Sequence, residues 1–189
     1  MNEKKEVIIS PTLFWIDLEM TGLDPAHDVI IEIASLVTDN NLTVVAEGPS
    51  LVIHQPDFRL DGMDEWNTTH HGESGLTDEV KRSTITLNEA YERTLTFARE
   101  HCEPDITPVC GNSVYQDRAF LRRLMPELDQ YFSYRIIDVS SIKEVVRRWY
   151  PTDPCMYYEK ETNHRALGDV HASIEELKHY RKYFFRPEP

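Results

Sequence analysis

The sequence predicts an α/β fold in which a mixed sheet is covered by helices on both faces. Three segments rich in β-branched and aromatic residues, 12–19, 29–37 and 42–53, follow one another with turn signals between them, as in a meander of strands. Two shorter apolar segments, 107–110 and 135–139, then alternate with stretches of helical periodicity. Strands that first follow one another and then alternate with helices are typical of a mixed sheet between two layers of helices.

The helical segments are defined by capping residues, prolines and periodicity. Thr86 and the glutamate three residues later form a capping box, apolar residues then recur at helical spacing, and Pro104 ends the predicted helix. A second helix over 116–125 stops at Pro126, and the irregular segment 60–80 predicts short helical pieces at the rim of a binding site. Two more helices are predicted from the faces formed by Ile142, Val145, Val146 and Trp149 and by Val170, Ile174, Leu177, Arg181 and Phe184.

Length, charge and cysteine content exclude several classes of protein. The 189 residues predict one domain over 1–189, with its core at about 11–185 and loose ends at 1–10 and 186–189. A formal net charge of −13 argues against a long basic track for duplex DNA or long RNA, although carboxylates can bind phosphate through cations. Three cysteines without a Cys-x-x-Cys pair, and no export signal or membrane span, predict a cytoplasmic protein.

Two carboxylates interrupt the first predicted strand. Asp17 and Glu19 stand two residues apart, so their side chains point to the same face of that strand. Two acids on a buried face repel each other and are costly to desolvate unless a cation compensates them. Hard cations such as Mg²⁺ and Mn²⁺ prefer carboxylate oxygens, so the pattern predicts a metal site. The alternative is that the strand runs out into solvent at Asp17.

Two later segments carry further candidate residues. Asp117 follows an apolar strand that ends at Gly111, near a helix start where an acid can also serve only as an electrostatic cap. His164 and Asp169 lead into the last helix. Residues five apart point in different directions on a helix, so His164 must lie on the preceding loop if both serve one site. Otherwise His164 is a surface histidine.

In this order, Asp-x-Glu, Asp and His-x-x-x-x-Asp resemble the motifs of the DEDDh exonuclease superfamily, and the spacing matches at every catalytic position. Longer segments are similar to the oligoribonuclease family over about 11–185, namely 15–24, 63–67, 74–76, 111–121 and 134–140. The resemblance implies a ribonuclease-H-like fold with a mixed five-stranded sheet flanked by helices, in a homodimer. It also implies a 3′→5′ exonuclease that cuts very short single-stranded RNA, especially dinucleotides, to 5′-mononucleotides.

The resemblance further implies two-metal-ion hydrolysis with Mg²⁺ or Mn²⁺. Asp17, Glu19 and Asp169 would hold the cation that carries the attacking water. Asp17 and Asp117 would serve the second cation, and His164 would act as the general base.

Substrate-binding residues follow from the same resemblance. At the bases, the resemblance implies that Leu18 is a wedge between them and that Trp66 is a stacking surface. His71 would lie at the 3′ nucleotide. Tyr134 and Arg135 would come from the partner subunit, and Arg135 would bind the 5′ phosphate together with Ser113 and Ser140. From the residues alone, aromatics such as Trp66 and Tyr134 are more often core or interface residues.

The sequence departs from the family at Gly168, a position that is often acidic in oligoribonucleases. Asp169 is therefore the only acid in its motif. The remaining acids and one histidine are taken as structural or solvated: Asp24, Asp28, Glu32, Asp138 and the His70/Glu73 pair. Two alternative functions remain open, a DEDDh exonuclease that trims or proofreads longer RNA or DNA, and a catalytically silent nucleotide-binding module.

Overall fold

A computed structural model describes residues 8–160 and 165–186, which form a five-stranded sheet with helices on both faces. The strands are β1 (Thr12–Met20), β2 (Ile30–Asp39), β3 (Val44–Val52), β4 (Val109–Gly111) and β5 (Ile136–Asp138). They lie in the order β3-β2-β1-β4-β5, with the first three antiparallel and with β4 and β5 parallel to β1. The predicted meander and mixed five-stranded sheet are confirmed.

The helices are α1 (Asp57–Leu60), α2 (Glu65–Glu73), α3 (Leu76–Arg82), α4 (Leu87–His101), α5 (Val114–Leu124), α6 (Pro126–Tyr131), α7 (Val139–Trp149) and α8 (Ala166–Phe184). Thr86 caps α4 by accepting a hydrogen bond from Glu89 N at 3.1 Å, as the capping box predicts. Pro126 ends α5 as expected, but it also begins α6, because proline is well suited to the first position of a helix. None of the described helices is long and apolar enough to cross a bilayer.

The two faces of β1 pack against different helices. On one face, Phe14, Ile16 and Leu18 join the core formed with α4, α5 and α6. On the other face, Leu13 and Trp15 pack into the core formed with α7 and α8. The residues that follow on this second face are Asp17 and Glu19, so the acids face α8.

The shortness of β4 opens one edge of β1. β4 pairs with Phe14 and Trp15, so the carboxyl-terminal half of β1 has no strand on that side. Gly111 ends β4 in close contact with β1, and a Cβ there would lie 2.8 Å from the carbonyl oxygen of Ile16. The chain then turns into α5, which brings its first turns alongside the open edge.

Candidate active site

Three carboxylates meet between β1 and α8. Asp17, Glu19 and Asp169 each offer an oxygen, and these oxygens all lie within 4.8 Å of one another. Strand alternation places the first two on one face, and Asp169 reaches them from the first turn of α8. The alternative, that the strand runs out into solvent at Asp17, is wrong, because the residue is only partly exposed in this cluster.

Asp117 approaches from α5, on the open edge of β1. Its Oδ1 accepts a hydrogen bond from Leu18 N at 3.0 Å. Backbone N–H groups along a strand point alternately to its two sides, so the N–H of Leu18 points to the same side as that of Phe14, four residues earlier. The N–H of Phe14 bonds Pro108 O next to β4, whereas β4 does not extend as far as Leu18, whose N–H is left for Asp117. Asp117 is 6% exposed, so it is a buried acid and not a solvated helix cap.

The acids are buried close enough to perturb one another. Burial raises the pKa of Asp17 well above its usual range, and repulsion from Asp117 and Glu19 adds to this effect. Burial, with repulsion from Asp169 and Glu32, raises the pKa of Glu19 to about 8. Burial also raises the pKa of Asp117 to about 7, against the hydrogen bond from Leu18. Such a cluster is unfavourable as four anions and needs positive charge.

The donor set fits a divalent cation of the hard type. All the clustered ligand atoms are carboxylate oxygens, which Mg²⁺ and Mn²⁺ prefer. Oδ1 of Asp169 is buried and makes no hydrogen bond to any residue that the structure describes. The Lys160 ammonium lies 3.9 Å from this oxygen, which is too long for a hydrogen bond. An orphaned carboxylate oxygen that points into an acidic cluster is the arrangement expected of a cation ligand.

His164, the predicted general base, lies outside the described residues. The chain is described again from Arg165, which precedes the first residue of α8.

Two serines predicted at the 5′ phosphate lie together at the ends of β4 and β5. Ser113 Oγ and Ser140 Oγ are 3.2 Å apart. Oδ1 of Asp138 joins them by accepting hydrogen bonds from Ser113 N at 3.1 Å and Ser140 N at 2.9 Å. Ser113 has a φ of 51°, in the left-handed region that residues other than glycine rarely adopt. Asp138 thus organises both serines, a role that an acid before a helix start could have indicated.

Helix α2 lies against the carboxyl-terminal end of β1. Nε2 of the buried His71 is hydrogen-bonded to the carbonyl oxygen of Met20 at 3.0 Å, and its Nδ1 lies 3.9 Å from Glu19 Oε2. Trp66 is 55% exposed and stacks on His70, with ring centroids 3.9 Å apart. The core alternative for Trp66 is therefore wrong, because its ring is on the surface. Leu18 is 5% exposed and packs in the α4-side core.

Tyr134 and Arg135 lie apart from the acid cluster within one chain. They precede β5, whereas Asp17 and Glu19 lie toward the end of β1, and the two strands run in the same direction. The pair is therefore at the opposite end of the sheet from Ser140. Tyr134 is 78% exposed, and the Arg135 guanidinium sits over its ring at 4.5 Å. Tyr134 is thus not a core aromatic.

Comparisons with known proteins identify the family of this chain. The RNase_T family model, described as Exonuclease, matches residues 14–177. Oligoribonuclease of Acinetobacter baylyi is 54% identical over 92% of this chain and 94% of its own, and that of Marinobacter nauticus is 55% identical over 92% and 96%. The zinc-bound E. coli ExoI–ssDNA complex shares the fold, with a TM-score of 0.71 and 16% identity, over 93% of this chain but 41% of that longer chain. The chain therefore belongs to the RNase_T exonuclease family and, within it, to the oligoribonucleases.

Proposed function

We propose that this protein is a 3′→5′ exoribonuclease that degrades very short oligoribonucleotides, especially dinucleotides, to 5′-mononucleotides. The observation that carries the proposal is the buried group formed by Asp17, Glu19 and Asp169, with Asp117 close by. Four acids around one point have no structural use that compensates for their repulsion. Their use is to hold cations against the phosphodiester.

Two divalent cations, Mg²⁺ or Mn²⁺, are the proposed cofactors. Asp17, Glu19 and Asp169 would hold one of them, and Asp17 with Asp117 would hold the other. When bound, such a pair supplies an activated water and stabilises the departing oxygen. The fixed hydrogen bond from Leu18 N holds the Asp117 carboxylate in place beforehand.

His164 is the proposed general base, which accepts the proton from the attacking water. A histidine has an unperturbed pKa near 6.5, so it is largely neutral and able to accept a proton at pH 7. Its assignment rests on the sequence, where it stands five residues before Asp169.

The preference for short substrates is assigned to the two ends of the binding site. Trp66 presents an exposed ring for a base to stack on, and it lies on α2, the helix that also brings His71 to within 3.9 Å of Glu19. His71 is proposed to serve the 3′ nucleotide. Leu18 is the proposed wedge between the bases. Ser113 and Ser140, brought together by Asp138, offer hydroxyl groups to the 5′ phosphate. A closed 5′ end leaves little room for a third nucleotide.

We propose that Tyr134 and Arg135 complete this 5′ end from a second copy of the chain. The pair precedes β5, whereas Ser113 and Ser140 follow β4 and β5, so the length of β5 separates the pair from the serines of its own chain. The exposed side of α7 supports a homodimer, because Val145 is 40% exposed and Trp149 is 73% exposed. These side chains border an apolar groove of about 490 Å³ that Phe185 also lines.

The experiment that tests the chemistry follows a five-nucleotide RNA labelled at its 5′ end. We expect loss of one nucleotide at a time from the 3′ end with Mg²⁺ or Mn²⁺ and no cleavage in EDTA. Asp17→Asn and Asp169→Asn, which keep the side-chain shape, should reduce the rate by at least about 10³-fold, while Asp105→Asn, an exposed acid in a loop, should leave it unchanged. Cleavage by either site variant at the wild-type rate would exclude the two-metal assignment.

A further inference from the structure

Arg165 binds two carboxylates from different parts of the fold. Its Nε and Nη2 donate to Glu32 on β2 at 3.0–3.3 Å, and its Nη1 and Nη2 donate to Glu79 on α3 at 3.0 and 2.7 Å. A guanidinium can pair with two carboxylates in this way because its donors form a planar fork, which a lysine ammonium lacks. Arg165 therefore joins β2 and α3 at the residue where α8 begins.

Glu32 stands directly beside a proposed metal ligand. In the antiparallel register of β1 and β2, Glu19 and Glu32 are opposite each other, so their side chains share one face of the sheet. Glu32 is 2% exposed. It is thus a buried carboxylate like Asp117 and Asp169, and its hydrogen-bond partners distinguish it from them.

Those partners use both oxygens of Glu32. Arg165 donates to both, and Oε2 also accepts a hydrogen bond from Ala166 N at 3.0 Å. This last bond satisfies a free N–H in the first turn of α8, where the residue at the cap position provides no side-chain cap. Asp169 follows three residues later on the same helix.

We propose that Arg165 is a positioning residue: by binding Glu32, it prevents this carboxylate from binding the cation, which is then bound by Glu19 and Asp169 without it. The inference rests on the proposed function, because it concerns the same acids. Without Arg165, Glu32 would be a buried carboxylate with no counter-ion, next to Glu19 and within the reach of a cation. Glu32 would then act as an additional ligand, and the cation would shift toward β2.

The test compares Mn²⁺ binding and catalysis in Arg165→Met, Glu32→Gln and the double variant. Calorimetry should show Mn²⁺ bound at least about fivefold more tightly by Arg165→Met than by wild type, because an added carboxylate raises the charge of the site. The kcat for a dinucleotide should fall at least about 30-fold with little change in KM, because the cation is misplaced and not the substrate. In the double variant, Glu32→Gln should cancel the tighter binding and restore at least about tenfold of the lost kcat.

A role confined to stability gives a different pattern. Arg165→Met would then bind Mn²⁺ with unchanged or weaker affinity at temperatures where it remains folded, and that result would overturn the proposal. Arg165→Lys, which keeps one positive charge, provides a second variant if Arg165→Met does not fold, and it should shift Mn²⁺ affinity in the same direction by a smaller factor. Glu79→Gln is the matched control, because it removes the other partner of Arg165 and should leave Mn²⁺ affinity unchanged.

Failure of this inference is distinguishable from failure of the proposed function. If Asp17→Asn binds Mn²⁺ as tightly as wild type, the metal site itself is misassigned. If Asp17→Asn loses Mn²⁺ while Arg165→Met matches wild type in Mn²⁺ affinity, the metal site stands and Glu32 is not a potential ligand.

Discussion

At the scale of single residues, the clustered acids are costly to ionise in the metal-free protein, because they are buried and repel one another. The pKa of Glu19 is raised to about 8 and that of Asp117 to about 7, mainly by burial, and the pKa of Asp17 is raised for the same reason. An acid whose pKa is higher in the folded state binds more protons there than when unfolded, so the free energy of unfolding falls as pH rises. For Glu19 this loss extends from near pH 4.5 to about pH 8.

We therefore expect the melting temperature of the protein in EDTA to fall between pH 5 and pH 8. Asp17→Asn should flatten this decrease and melt above wild type near pH 8, because the amide cannot ionise among the remaining acids. Saturating Mg²⁺ should remove most of the difference. Thermal unfolding at several pH values measures both effects, and a wild-type melting temperature that rises over this range in EDTA would contradict the proposed repulsion.

Residue roles could be predicted from the sequence where the pattern is local. Alternation along a strand placed Asp17 and Glu19 on one face, and the structure adds Asp169 to them. The role of Glu32 could not be predicted, because its partner Arg165 lies 133 residues away in the chain. The position of Asp138 before α7 could have indicated a helix cap, but not its bond to Ser113, which lies 25 residues away. An acid that binds a distant cation or backbone N–H looks in the sequence like any solvated acid.

At the scale of elements, two short pieces shape the site. The three-residue β4 leaves Leu18 N free for Asp117, and the nine-residue α2, which also carries Trp66, brings His71 to the end of β1. Trp66 stacks on His70 and remains 55% exposed.

Trp66→Ala should weaken dinucleotide binding with little effect on folding. Base stacking on an aromatic ring is worth about 1–3 kcal/mol, so KM should rise by roughly 5- to 150-fold, with a smaller change in kcat. Phe58→Ala is a suitable control, because Phe58 is also exposed but lies on α1. A loss of several degrees in melting temperature with an unchanged KM would show that Trp66 has a structural role instead.

The elements themselves were largely predictable because hydrophobic periodicity reports which face is buried. Capping at Thr86 and the stop at Pro126 fixed helix ends well. Periodicity does not report what covers an apolar face, so α7 was predicted as an ordinary amphipathic helix. In the described chain, Val145 and Trp149 on that helix remain exposed.

At the scale of the whole molecule, the proposed substrate site depends on a second copy of the chain. Tyr134 and Arg135 lie at one end of the sheet and the acids at the other, so the proposed role of this pair requires a second subunit. Mixing Asp17→Asn with Arg135→Ala should then restore activity that neither variant has alone. Half of the randomly assorted dimers carry one complete site of two, so about a quarter of wild-type activity is expected.

The control for this mixture is Asp17→Asn with Asp169→Asn. Both acids belong to the same chain's site, so every site in that mixed dimer lacks an acid and no activity should return. Activity in the first mixture but not in this control would therefore show that one site contains residues of both subunits, and would exclude a general effect of mixing. Absence of activity in the first mixture, with dimers present by sedimentation, would place Arg135 outside the partner's site.

The measurement that tests the central claim most directly is cleavage of 5′-phosphorylated RNAs of two, three, five and twenty nucleotides, each with Mg²⁺, Mn²⁺ or EDTA. The 5′ end that we propose to be closed by Ser113, Ser140 and Arg135 of a second copy predicts that the dinucleotide is cut fastest, with metal-dependent release of 5′-mononucleotides. Faster cleavage of the longer strands would contradict a capped site and indicate a trimming or proofreading exonuclease, and no cleavage of any length would indicate a silent nucleotide-binding module.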